Sequence, residues 1–282
     1  MTADVDNPYD GVASPYRAVR PGYLPEVFTA LESYADVDGL PRVLEVGAGT
    51  GQATRHMATL GWVIDAIEPG CQLAAELRAD SNAGPVRIRN ARFEDAIVEP
   101  SSFDLVIAAT SWHWIDPAVG YRKAWAALRP HGVIGLIWNA HVPDTIRPDW
   151  DPIRRAYLDV APELADLARL TPDRADYDPA SELAHSGYFD DVAQRVWPFE
   201  VSYSAFEFLA LIGTYASHRV LDAQHRRRLD KLLRSVIDDL GGYVTKPYEA
   251  LLVLGRRRPS GTAPICRWPI RPESAKIATE QD

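Results

Sequence analysis

The sequence predicts an α/β fold, a doubly wound and mostly parallel sheet, and three observations carry that expectation. Short apolar runs near 42–47, 62–67, 86–90, 103–109 and 132–138 alternate with helical or turn segments, the order of successive βαβ units. The stretch Leu105–Ala109 is apolar without alternation, as in a central parallel strand covered on both faces. The first run, Val43-Leu44-Glu45-Val46, opens into glycines at 47, 49 and 51. Such a turn lets backbone approach a ligand at the carboxyl edge of a parallel sheet.

Taken in order, residues 14–41 supply an N-terminal arm and a first helix, and Gln52–Leu60 has helical composition. Trp62–Ile67 alternates, turns apolar and ends in Glu68-Pro69-Gly70, while Val86–Asn90 is a short strand running into a polar loop. A helix is expected from Ala118 to about Leu128, stopped by Pro130 and Gly132, with Gly132–Trp138 then entering the sheet. From 139 to 188 the regularity gives way to Pro, Asp, Arg and Ala, with helix-like stretches at Asp151–Val160 and Pro162–Leu170, and an inserted lid is expected there. Val192–Tyr203 alternates like a strand, Ala205–Tyr215 and Asp222–Leu240 read as helices, and Ala250–Leu254 reads as a last apolar strand. Residues 1–257 thus form one domain and 258–282 a loosely attached tail.

The glycine spacing discriminates between ligands. A dinucleotide fingerprint, G-x-G-x-x-G, needs glycine at position 52, and the residue there is Gln52. What stands in the chain is E-x-G-x-G-x-G, with Glu45 at the end of the strand. Glu68, about twenty residues past the loop, suits a ribose diol, since one carboxylate accepts from two hydroxyls.

At these residues the chain resembles the class I S-adenosylmethionine-dependent methyltransferases, bacterial type-11-like and related to the trans-aconitate group. The resemblance spans roughly residues 14 to 257. It implies a seven-stranded, Rossmann-like sheet with an antiparallel edge strand. It also implies that Glu45, Gly47, Ala48, Gly49, Thr50 and Gly51 bind the methionine end of the cofactor, and Glu68 with Pro69 the ribose. Phe93 and Glu94, in a loop where Asn90-Ala91-Arg92 departs from the commoner Gly-Asp-Ala form, fall beside the adenine. Thr110, ending the fourth strand, is a further expected cofactor residue, and Thr110–Trp114, whose aromatic stretch Trp112-His113-Trp114 resembles the family's fourth motif, is expected to face cofactor and substrate together. Ser14–Tyr23 resembles the family's Y-x-x-x-R-P-x-Y lead-in, which folds Tyr16 and Arg20 over the site as cofactor-binding residues, Arg20 pairing with the cofactor's carboxylate or a substrate acid, and Leu211–Ser217, containing Tyr215, resembles a late helix that lines the pocket.

S-adenosylmethionine as cofactor sets the expected chemistry: in-line displacement by a small-molecule acceptor, oxygen ahead of nitrogen or carbon, in an aromatic-lined pocket. Trp112, Trp114, Trp138, His141 and Tyr215 are the expected pocket residues, and His113 the expected base. Alternative readings are a nicotinamide-dependent oxidoreductase and a cofactor-binding protein without turnover. The balance of 30 basic against 39 acidic side chains gives a formal charge of −9, which disfavours nucleic acid as partner. Two cysteines far apart suggest neither disulfides nor a thiolate metal site, and no metal is expected. No secretory pattern or membrane span is read, so a cytoplasmic protein, with a homodimer as one candidate assembly, is expected.

Overall fold

The computed structural model describes residues 19–141, 150–165, 178–215, 218 and 220–259. Seven strands form one sheet: β1 Arg42–Val46, β2 Val63–Ile67, β3 Arg87–Arg89, β4 Phe103–Ala109, β5 Leu128–His141, β6 Phe189–Ser204 and β7 Tyr243–Arg257. Their order is β3-β2-β1-β4-β5-β7-β6, with β1 to β5 parallel and β7 antiparallel to both β5 and β6. The chain winds outward from β1 through β2 to β3, then returns to place β4 on the other side of β1. The carboxyl ends of β1 and β4 therefore splay their loops apart and leave a crevice between them.

Helices cover both faces. On one, α1 (Pro25–Ala35) and α2 (Gln52–Thr59) pack Val27, Phe28, Leu31, Ala53 and Met57 against Val43, Leu105, Ile107 and Ile137. Pro25 opens α1 with its φ already helical, and Asp36, left-handed at φ 50, closes it through an N–H donated to the Glu32 carbonyl. On the other face, α4 (Pro117–Ala127) and α6 (Pro179–His185) bury Tyr121, Ala124, Ala127 and Leu183 against Leu44, Val106, Ile134 and Val253. Asp116 caps α4 by accepting from the Ala118 N–H at 2.9 Å. The remaining helix of the parallel half, α3 (Cys71–Ala79), follows β2.

A third core lies beyond the carboxyl edge of β5. β6 and β7 stay paired as far as Ser204 opposite Tyr243, so their ends project past the sheet as a two-stranded ribbon. On it sit α5 (Asp151–Val160), α7 (Ala205–Gly213) and α8 (Ala223–Asp239), sharing Ile153, Tyr157, Phe208, Leu211, Leu229, Leu233 and Ile237 with Tyr203 and Tyr248 of the ribbon. Ser204 and Glu207 form a reciprocal capping box at the start of α7, and the Asp222 carboxylate caps α8.

Several expected boundaries shift. β5 starts at Leu128, directly after α4, and Pro130 and Gly132 lie within it because His131 takes a left-handed turn at φ 66 that the strand absorbs. The last strand runs over fifteen residues rather than five, since its polar first half pairs with β6 in the ribbon, where solvent reaches one face. Within the stretch expected as a lid, α5 belongs to the third core and α6 to the sheet's own covering. Of the helix expected at Pro162–Leu170, one 3₁₀ turn at Pro162–Leu164 is described. Arg258, expected in the tail, is tied down: its N–H donates to the Tyr188 carbonyl and its carbonyl accepts from the Trp125 indole. Residues 260–282 of that tail lie outside the described residues.

Candidate functional site

The crevice at the switch point is floored by the loop after β1. Gly47, Gly49 and Gly51 all have positive φ, at 71, 59 and 89°, but for different reasons. A Cβ on Gly47 would stand 2.5 Å from the Ser111 Cβ, and one on Gly51 would stand 2.5 Å from Leu77 Cδ1. Packing thus demands Gly47, while at Gly51 the neighbour is the far end of a leucine side chain and the φ of 89° is the firmer constraint. A Cβ on Gly49 would meet nothing within 4 Å, so the middle glycine faces open space in the manner of a cradle. The loop is fixed to β2 by the Gly47 and Ala48 N–H groups, which donate to the Ile67 carbonyl.

Glu68, 3% exposed, clasps the cradle from the end of β2. Its carboxylate accepts from the Gly49 N–H and from the Gly70 N–H, both at 2.7 Å. Pro69 continues this turn, and its carbonyl and that of Glu68 both accept from the Asn90 side-chain amide, which joins the β3 loop to the clasp. Glu45 is equally buried beneath the loop and accepts from the Thr54 hydroxyl of α2 at 2.6 Å. Burial pushes its carboxyl up to about 8, and the nearby Glu68 charge adds to the rise while the Thr54 hydrogen bond opposes it. Thr50, fully buried, donates to Gln52 Oε1 and has its carbonyl held by Arg55.

The β3 loop shapes the crevice indirectly. Phe93 is 1% exposed and packs against Trp112 with ring centroids 6.0 Å apart, so it is core beneath the site rather than a surface a planar ligand can stack on. The Glu94 carboxylate accepts from the Asp116 N–H and pairs with Arg92, and its carbonyl accepts from Lys123.

Aromatic residues after β4 depart from expectation. Trp112 is not a pocket wall: at 1% exposure it fills the core against Phe93 and Tyr121. Trp114 is 58% exposed and stands on the surface beside His113, and Trp138 is buried in the core below. His113 is held by the Trp138 indole, which donates to its Nδ1 at 3.3 Å. An indole only donates, so Nδ1 carries the lone pair and the neutral ring keeps its proton on Nε2. Burial also lowers its pKa to about 4. His113 is therefore a hydrogen-bond donor, not the base expected.

Thr110, between β4 and this stretch, is left-handed at φ 55, an uncommon state for a β-branched residue. Its hydroxyl lies 2.9 Å from the Tyr23 hydroxyl. Nearby, the Asn139 amide at the end of β5 donates to the Pro21 and Gly22 carbonyls, and Arg20 donates to the Thr214 hydroxyl with its guanidinium 4.7 Å over the Tyr215 ring. Residues 20–23 thereby form a strap across the ends of β4 and β5 to the end of α7. Arg20 is fastened to the helical cap rather than to the glycine loop, and Tyr215 is buried beneath it. His141 pairs with Tyr248 through its backbone. Tyr16 lies outside the described residues.

A family model described as a methyltransferase domain matches residues 44–136. An uncharacterized methyltransferase of Mycobacterium tuberculosis (strain ATCC 25618 / H37Rv) is 31% identical over 160 residues, 54% of this chain; the match spans 63% of that relative's length. A nocamycin O-methyltransferase of Saccharothrix syringae is 31% identical over 258 residues, covering 81% of this chain and 90% of the relative. The chain belongs to the class I S-adenosylmethionine-dependent methyltransferases. A solved structure from Anaeromyxobacter dehalogenans, assigned as a type II methyltransferase, superposes with a TM-score of 0.63 at 22% identity, covering 85% of this chain and 98% of its own, and it bears on the fold alone.

Within this methyltransferase the expected cofactor residues Glu45, Gly47, Ala48, Gly49, Thr50, Gly51, Glu68 and Pro69 converge on one loop system, with Thr110 at its rim. The open space over Gly49 and the inward carboxylate of Glu68 fit a ribosyl ligand. Sequence reading missed four contributors: Thr54 under Glu45, Ser111 beneath Gly47, Asn139 on the strap, and Tyr23. Two of them had a signal: Tyr23 as the last residue of the Y-x-x-x-R-P-x-Y lead-in, and Ser111 as part of the stretch Thr110–Trp114 expected to face the site. Among the described residues no cluster of His, Cys, Asp or Glu is placed to hold a metal ion, and no helix is long and apolar enough to cross a membrane.

Proposed function

We propose that this methyltransferase moves the methyl group of S-adenosylmethionine to an oxygen atom, ahead of nitrogen or carbon, of a small organic molecule. The observation that carries the cofactor reading is the clasp: a buried carboxylate at the end of β2 meeting the N–H of a glycine whose Cβ side is open. Glu68 is assigned to the ribose hydroxyls, the loop 47–51 to the methionine portion, and the buried Glu45 to balancing cationic charge above it. Bound there, S-adenosylmethionine supplies an electrophilic methyl group on a sulfonium. The chain's own part is to hold the acceptor in line and to keep water away, which the strap 20–23 and the cap formed by α5, α7 and α8 do. Oxygen as the acceptor atom draws support from the relative named as an O-methyltransferase.

The acceptor is read as a small molecule rather than nucleic acid because the formal charge is −9. A cytoplasmic location and a homodimer complete the proposal. Titration calorimetry with S-adenosylmethionine tests the cofactor, and silence at millimolar ligand sinks it. Fluorescence on adding NADH addresses the oxidoreductase alternative. S-adenosylhomocysteine release measured across carboxylic acids, phenols and amines tests the acceptor; cofactor binding with no release anywhere would favour a protein without turnover.

A further inference from the structure

We propose that Tyr23 and Thr110 form a hydrogen-bonding pair that holds an ionised oxygen of the methyl acceptor, a carboxylate or an acidic phenolate, at the mouth of the crevice; this rests on the O-methyltransferase reading above. Thr110 directly follows β4 at the switch point, where strand order reverses beside β1. Its left-handed backbone is strained for a β-branched residue, and such strain persists only where neighbours impose it. They do so here: the Thr110 N–H donates to the Ile137 carbonyl at 2.7 Å, and the next side chain, Ser111, donates to the Val46 carbonyl. A glycine would take the same turn without strain, so what threonine adds is its hydroxyl.

That hydroxyl meets a phenol brought from 87 positions away in the chain. Asn139 fixes the carbonyls of Pro21 and Gly22, α1 begins two residues after Tyr23, and the Tyr23 ring packs against the first core. The phenol is thus held from both sides and from below, while both residues stay partly exposed at the rim. A hydroxyl donates and accepts at once, so whichever of the two donates, the pair carries one O–H more than their shared hydrogen bond uses. A hydrogen bond to an anionic oxygen is about twice as strong as one to a neutral oxygen, which favours an ionised acceptor. Such an acceptor has no proton to lose, in agreement with an imidazole, His113, whose Nδ1 is already taken by Trp138.

The test uses the full chain saturated with S-adenosylhomocysteine and 4-nitrophenol as probe, whose absorbance reports its own ionisation, with 4-nitrobenzoate as a second probe followed by calorimetry. The bound phenol should ionise about one pH unit lower than in water. Tyr23→Phe should abolish that shift and weaken both probes about tenfold while leaving S-adenosylhomocysteine affinity within twofold. Thr110→Val should abolish the shift and weaken both probes as Tyr23→Phe does, and Thr110→Ser should retain the wild-type shift, which separates the hydroxyl from the fold. An unchanged shift and affinity in Tyr23→Phe, a parallel loss of S-adenosylhomocysteine affinity, or failure of both probes to bind the wild-type complex would each overturn the proposal. Failure of S-adenosylhomocysteine itself to bind appears before any probe is added, and it overturns the methyltransferase reading along with this one.

Discussion

The two sides of the crevice are built by opposite means. On the cofactor side, consecutive residues of one β-loop-α unit form the floor, and the decisive groups are backbone: the Gly47 and Ala48 N–H groups on Ile67, and the Gly49 N–H on Glu68. On the acceptor side, side chains join distant segments: Tyr23 to Thr110, Asn139 to Gly22, Arg20 to Thr214. A backbone-defined floor is indifferent to most side-chain exchange but intolerant of added bulk. A side-chain-defined rim can be retuned one residue at a time. On the proposed function, the contrast separates what would hold the cofactor from what would select the acceptor.

The most damaging change should strike the support shared by both sides. Trp112→Ala removes a side chain 1% exposed and wedged between Phe93 and Tyr121, and should cost about 3–5 kcal/mol in chemical denaturation. Trp114→Ala, two residues on and 58% exposed, should stay within about 0.5 kcal/mol. Equal losses would refute the assignment of Trp112 to the core.

Next come the glycines. Gly47→Ala meets both a positive φ and Ser111 at 2.5 Å, and should lose about 2–4 kcal/mol of stability. Gly49→Ala has the positive φ without the collision, so about 1–2 kcal/mol is expected. Its larger effect should be on S-adenosylhomocysteine affinity, through a methyl group placed in the cradle. Calorimetry that finds Gly49→Ala binding normally would mean the ligand does not sit there.

A pH-dependent effect belongs to Glu45. Its carboxyl titrates near 8 in the folded chain against 4.5 in the unfolded one. Between those values the folded state holds a proton that the unfolded state has released, so stability falls as pH rises from about 4.5 to about 8 and is flat beyond. Glu45→Gln should remove that slope and melt no lower than wild type at pH 8; a lower melting temperature there would show that the ionised carboxylate supports the fold. A cationic ligand above Glu45 should also expel its proton near neutrality, measurable as a buffer-dependent binding enthalpy with S-adenosylmethionine and absent with adenosine.

The mildest outcome concerns His113. If Trp138 fixes it as a donor, His113→Asn should slow methyl transfer less than about tenfold and leave the pH–rate profile unmoved. A lost ionisation in that profile would restore the imidazole as a base.

What was legible in the sequence follows the same division. The parallel half announced itself because buried strands are short apolar runs and the β1 loop is contiguous, so Glu45, the three glycines and Glu68 are found together in the structure where spacing put them. The rim was misread where composition suggested aromatic walls: a Trp-His-Trp triplet says nothing about which ring turns inward, and a 3₁₀ turn at Trp112–Trp114 sends Trp112 into the core and Trp114 to water. Asn139 and Tyr23 gave little warning, since their roles depend on segments 87 to 118 positions apart meeting in space. The last strand was recognised only in its apolar part, Ala250–Leu254, because the half that carries the ribbon is polar on one side.

That ribbon has a practical corollary. Since β6 and β7 remain hydrogen-bonded from the sheet out to Ser204 and Tyr243, and α7 and α8 depart from and return to its tip, the part of the cap formed by α7 and α8 is a cassette plugged into two adjoining strands, with α5 packed on it from outside. Transplanting the stretch from Tyr203 to Val244 between related enzymes would leave the nucleoside end untouched, and offers a direct route to chimeras with exchanged acceptor preference.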